Sequence, residues 1–169
     1  MPISIYHASV PVFLQGLDTL THILRKGENH ARTDGVDPAS YVEARLAPDM
    51  LTLAGQVQRA TDTSKLSVER LSGAPAPKME DTEKSFAELR ARIEKTAAYL
   101  KGITEAQLAD AETKRIELNL RDYKPVFTGT SYLLSFGLPN FFFHVTTAYD
   151  ILRHKGVPLS KRDFLMLKG

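Results

Sequence analysis

The residue of this chain best placed for chemistry is His144, a histidine on an otherwise apolar helical line. At about 100° per residue, Leu133, Gly137, Asn140, His144, Ala148, Ile151 and Lys155 drift slowly around one face. They belong largely to the run Leu138–Gly156, LPNFFFHVTTAYDILRHKG, the most apolar and aromatic stretch of the sequence. An imidazole removed from water there, with the amide of Asn140 one turn before it, suits acid/base work or metal binding. Gly137 and Ala148 are small enough to leave a cavity beside the ring. The same pattern also describes a satisfied core histidine on a helix whose small residues let a neighbour approach closely, and spacing alone leaves both readings open.

Other polar residues join it as candidates. Gln56 and Asp49 can project toward the last helix, although Gln56 serves equally well as a surface residue. His7 shares a face with Val10, Leu14 and Leu17 and so can reach the interior; near a terminus it also reads as structural. His22 falls with Asp18 and Lys26 on a solvated face, and His30 and His154 read as exposed. A zinc or iron site wants at least three converging His, Asp or Glu ligands. The partners of His144 at i−4 and i+4 are Asn140 and Ala148, and neutral amides hold such ions weakly. The sequence contains no HExxH, glycine-rich phosphate loop, GxSxG or EF-hand loop. With no cysteine, it has no thiolate nucleophile and no disulfide. Phe141-Phe142-Phe143 reads as core or dimer interface rather than a base-stacking platform.

Amphipathic helices must position these groups. Val10, Phe13, Leu14, Leu17, Leu20 and Leu24 predict helix one from Ser4 to about Arg25, started or kinked at Pro11 and ended by Gly27. Residues 27–47 read as a polar connection, in which Asp37 can cap a short helix with Pro38 at its first position. Helix two is expected from Pro48 to about Leu71, stopped by Ser72-Gly73-Ala74-Pro75-Ala76-Pro77. Phe86, Leu89, Ile93, Leu100 and Ile103 mark helix three, closed by Gly102, and Thr104 with Gln107 has capping-box form. The period then changes to two: Ile116, Leu118 and Leu120 predict a half-buried strand, with Val126-Phe127-Thr128 returning antiparallel. The last helix covers at least Pro139–Lys155 and can begin near Thr130 with a kink at Pro139; Gly156 and Pro158 end it, and the tail with Leu159, Phe164 and Leu165 folds back. The pattern is mainly α: a four-helix bundle with a small β-hairpin before the last helix.

Composition excludes several classes. The 169 residues suit one domain with a substantial core, and 43% hydrophobic with 25% charged residues is ordinary globular content. No apolar run approaches the roughly 18 residues of a membrane-spanning helix, and MPISIYHASV does not have the basic-then-apolar form of a secretory signal. A cytoplasmic protein is the expectation. A net charge of +2 is too small to argue for nucleic acid. Residues 121–169 carry seven Lys or Arg against three Asp, a mild asymmetry that either belongs to solvated charges or favours an anionic partner.

Nearly the whole chain resembles an uncharacterised family of small proteins labelled only as a domain of unknown function. The resemblance rests on MPISIYHASVPVFLQGL, on Ala47-Pro48-Asp49-Met50 before helix two, and on LPNFFFHVTTAYDILRHKGVPLSKRDFL. That family is similar to the DinB-like/YfiT-like group of four-helix metalloenzymes. In their metal-binding members the last helix carries HxxxHRGQ. Here His144 resembles the second histidine, since Ile151-Leu152-Arg153 and, twelve residues on, Gly156 follow it as in the group. The first histidine then falls on Asn140, and the third ligand, from helix two, falls near Gln56. Val145-Thr146-Thr147 replaces Arg-Gly-Gln.

The resemblance therefore implies a DinB-like bundle whose metal site is degenerate, which counts against the group's thiol-transferase and isomerase activities. No cofactor is expected; zinc or nickel, if bound, would have His144 as its one histidine ligand. The expected function is a polar small-ligand pocket with His144 as acid/base and Asn140, Gln56 and His7 as ligand-binding candidates. The alternative is a noncatalytic homodimer formed through the aromatic last helix.

Overall fold

The computed structural model describes residues 3–167. Helix α1 spans Ile5–Thr33, two turns longer than the sequence predicts. Its start follows local chemistry, the Ser4 hydroxyl accepting from the His7 backbone N–H at 3.3 Å. Gly27 does not end it, because its role is packing. A Cβ there would lie 2.8 Å from Leu152 Cδ2, so the missing side chain lets α1 seat against the last helix. Gly16 does the same for Phe141, whose ring would meet such a Cβ at 2.3 Å.

After α1, Asp37 Oδ1 accepts from the Ala39 N–H at 3.0 Å and begins the short helix α2, Ala39–Val42. Helix α3 spans Leu53–Ser72, opening at the Thr52 cap rather than at Pro48 and closing at Gly73, whose φ of 80° is left-handed. Helix α4 is Phe86–Lys101, capped by Ser85. The capping box at Thr104 is present, with its N–H donating to Gln107 Oε1 at 2.8 Å, but it opens a tight 3₁₀ turn, Glu105–Leu108.

Strands β1, Arg115–Glu117, and β2, Val126–Thr128, pair antiparallel with Ile116 opposite Phe127. Ile116 and Leu118 are buried as the alternation predicts, but Leu120 is 42% exposed because the strand ends before it. The last helix begins early, as α5, Gly129–Tyr132, and passes through a π turn at Leu133–Gly137 into α6, Leu138–His154. The irregularity precedes Pro139 rather than centring on it. Pro139 has no N–H for a carbonyl four residues back, and the widened turn, with the Leu138 N–H on the Leu133 carbonyl, absorbs that missing bond.

α3 packs against α4 and α6, and α1 packs against the same two, so α1 faces α3 and α4 faces α6 across the bundle's diagonals. Both diagonal crossings need long connections, which explains residues 34–52 and 102–128. Phe13, Leu17, Leu20, Leu53, Phe86, Leu89 and Phe141 fill the core. Short helix α7, Lys161–Phe164, folds back onto α1 as expected of the tail, although Leu165 stays exposed. Asp163 accepts from His22 Nε2 and Lys26 Nζ, both at 2.9 Å, so these two are not simply solvated. No helix among the described residues is long and apolar enough to cross a membrane.

Candidate functional site

The contact between α3 and the last helix contains a cleft of about 280 Å³. Arg59, Thr63, Leu66 and Arg70 line one wall. These residues lie three or four apart in sequence and so form one stripe of α3. Tyr132, Phe136, Asn140 and His144 line the other at four-residue steps across the π turn, and Leu120 closes the rim from the hairpin.

Gln56, one turn before Arg59, sits behind this wall at 1% exposure. Its Nε2 donates to the Leu51 carbonyl at 3.3 Å, which orients the amide and turns Oε1 toward the last helix. His144 Nδ1 lies 2.7 Å from that oxygen. A carbonyl oxygen only accepts, so Nδ1 carries the proton and Nε2 holds the lone pair. Nε2 has no hydrogen-bond partner among the described residues. No buried side-chain nitrogen or oxygen there lacks a partner, so Nε2 is open to solvent, on a ring that lines the cleft. Burial, and then the positive charge of Arg59, lower the His144 pKa to about 4. At neutral pH the ring is an uncharged hydrogen-bond acceptor held in one tautomer.

Around it, Asn140 Nδ2 donates to Thr63 Oγ1 at 3.0 Å, which leaves the Asn140 carbonyl for other partners. Arg59 is tied to Asp62 and Asp81. At the far end Arg70 Nη1 donates to the phenol oxygen of buried Tyr132 at 3.0 Å, and Ser67 Oγ lies at the same distance from that oxygen. Gly137 leaves no cavity: a Cβ there would be 3.1 Å from Ser67 Oγ, so it permits close approach instead. Thus Gln56, Asn140 and His144 come together. His7 does not join them; it is 61% exposed beside Ser4 and Glu105, because the helix begins just before it. Asp49 is exposed ahead of α3. Arg59, Thr63, Arg70 and Tyr132 were not singled out from sequence, although the spacing of Arg59, Thr63 and Arg70 from Gln56 along α3 was available to show them.

Residues 5–165 match the family described as "Domain of unknown function (DUF1993)". The chain belongs to the DUF1993 family. A solved DinB family member protein from Shewanella denitrificans is similar to it over 97% of this chain and 93% of that one, at 40% identity and a TM-score of 0.90. No curated protein matches. An uncharacterised DinB-like family is thus the correct description, and the mainly helical bundle with its small antiparallel sheet is the fold that the resemblance implies.

In this DUF1993 chain the side chains at the DinB metal positions do not fit a metal ion. Among the described residues no three His, Cys, Asp or Glu are placed to hold one. Gln56 has turned its only good donor atom, Oε1, onto His144 Nδ1, and Asn140 offers a neutral carbonyl. Gln56, near which the resemblance implies the α3 ligand, instead orients the histidine.

Proposed function

We propose that the cleft beside His144 binds a small molecule and that His144 Nε2 receives a hydrogen bond from it without help from a metal ion. The observation that carries this reading is the Gln56–His144 bond of 2.7 Å, which fixes the proton on Nδ1 and leaves the lone pair of Nε2 without a partner on a ring that lines the cleft. A histidine kept only for packing gains nothing from an unpartnered ring nitrogen. The volume, about 280 Å³, lies just below the usual range for drug-sized ligands and suits a smaller metabolite. Asn140 and Thr63 supply polar groups for orientation, while Leu66 and Phe136 supply apolar contact. A proton taken from the ligand would go to Nε2, making His144 the base if a reaction follows binding.

A library of small polar fragments, read through the ¹⁵N resonances of the His144 ring, tests this. Fragments that shift Nε2 and bind at least tenfold more weakly to His144→Ala support it. Binders that leave Nε2 unmoved contradict it. Stoichiometric zinc or nickel retained by the wild type and lost in His144→Ala would contradict the metal-free part. The second reading, a homodimer through the last helix, has the 58% exposure of Phe143 in its favour, whereas Phe141 is fully buried. A dimer mass in solution that Phe143→Ser converts to monomer would support that reading instead.

A further inference from the structure

We infer that the ligand of this cleft carries an anionic group, a carboxylate being the simplest, which Arg70 binds while an apolar body lies against Phe136 and Leu66. The inference rests on the small-molecule reading of the His144 cleft and adds the chemical class of its occupant.

The argument begins with the donors of two arginines. Arg92 donates four hydrogen bonds, to Thr61 Oγ1, the Glu80 carbonyl, Glu83 and Asp62, and Asp81 lies within ion-pair distance at 3.0 Å. Arg70 reaches only the phenol oxygen of Tyr132, and it has no carboxylate within ion-pair distance among the described residues. It is nevertheless half-buried, with its guanidinium carbon 5.8 Å from the centre of the Tyr132 ring. The ring and the hydrogen bond hold the guanidinium in place while most of its donors remain free, the arrangement that planar anion recognition needs.

The charges around the cleft agree. Asp62 is the carboxylate of the cleft wall, and Lys65, Arg92 and Arg59 already surround it. Its negative charge is therefore spent inside the α3–α4 network, and Arg70 remains the uncompensated charge. Between Arg70 and the polar pair Thr63–Asn140 that adjoins His144, the wall is apolar or aromatic. Phe136 stacks on Tyr132 at 5.8 Å and 26°, and Leu66 and Leu120 add aliphatic surface. An occupant that satisfies all of this has an anionic end, a flat or aliphatic middle and a hydrogen-bond donor for Nε2.

Carboxylic acid fragments, each paired with its primary amide, provide the test, with the wild type, Arg70→Gln and Arg70→Lys as hosts. In the wild type the acids should bind about tenfold more tightly than their amides, and each bound acid should raise the His144 pKa by opposing Arg59. Arg70→Gln should abolish the preference and Arg70→Lys should keep part of it, with unfolding midpoints showing that all three are folded. Acids and amides binding alike, with His144 resonances shifted, would overturn the anionic inference and leave the cleft reading standing. If no fragment of either kind moves His144, both fall.

Discussion

Helix α3 carries two polar networks that differ in one respect. Toward α4, the Arg92 side chain is 1% exposed, donates four hydrogen bonds and has Asp81 beside it as a further ion-pair partner. Toward the last helix, Arg70 has one acceptor and His144 presents an unpartnered Nε2. A closed network fixes structure, and here it straps the segment from Glu80 to Glu83 onto the bundle. Open donors and acceptors around a cleft cost stability unless water or a ligand completes them, so they mark where binding is to be sought.

Substitutions can separate the two. Arg92→Met leaves Asp62 and Glu83 without their shared cation, and breaking such a buried pair costs about 3–5 kcal/mol, to be read as a fall in the urea midpoint. Gln56→Leu should cost less, about 1–2 kcal/mol for the unpaired Nδ1–H, and should let the ring adopt the Nε2–H tautomer, visible in ¹⁵N spectra. If Gln56→Leu keeps the Nδ1–H form, some other group orients His144.

The pH dependence has a definite sign. The native His144 pKa of about 4 lies below its ordinary value of 6.5, so between these values the unfolded chain binds more protons. Stability from this group is complete above pH 6.5 and is lost as pH falls toward 4. His144→Gln should flatten that part of the curve. Asp163, held below the usual carboxylate range first by Lys26, acts only beneath its ordinary 3.8, so the two windows separate. The smallest effect belongs to Arg70→Gln, which should change stability by less than about 1 kcal/mol because one hydrogen bond is lost at a half-buried site. A loss as large as that of Arg92→Met would show that Arg70 is structural and would erase the contrast.

Much of the fold was legible because burial imposes its period on the sequence. The stripes through Phe13, Leu17 and Leu20, and through Phe86, Leu89 and Ile93, are the buried faces. Boundaries failed where one residue type has two uses: Gly27 looks like a helix stop but is a close-packing point, and Pro48 looks like a first helical turn although Thr52 supplies the cap. At the site, His144 and Asn140 could be picked out from the helical line they share and Gln56 from its reach toward the last helix, and the resemblance then aligned them with ligand positions. Arg70 could not, since an arginine near the end of an amphipathic helix reads as solvated until its neighbours are known. His7 misled for a related reason: sharing the phase of Val10 and Leu17 does not bury a residue in the first turn.

The central claim is that Gln56 holds His144 as a neutral acceptor with Nε2 free. Titration of the ring by two-dimensional ¹H–¹⁵N NMR tests it most directly. The account predicts the Nδ1–H tautomer at neutral pH and half-protonation near pH 4. An Nε2–H tautomer, or titration at the ordinary value of 6.5, would contradict it.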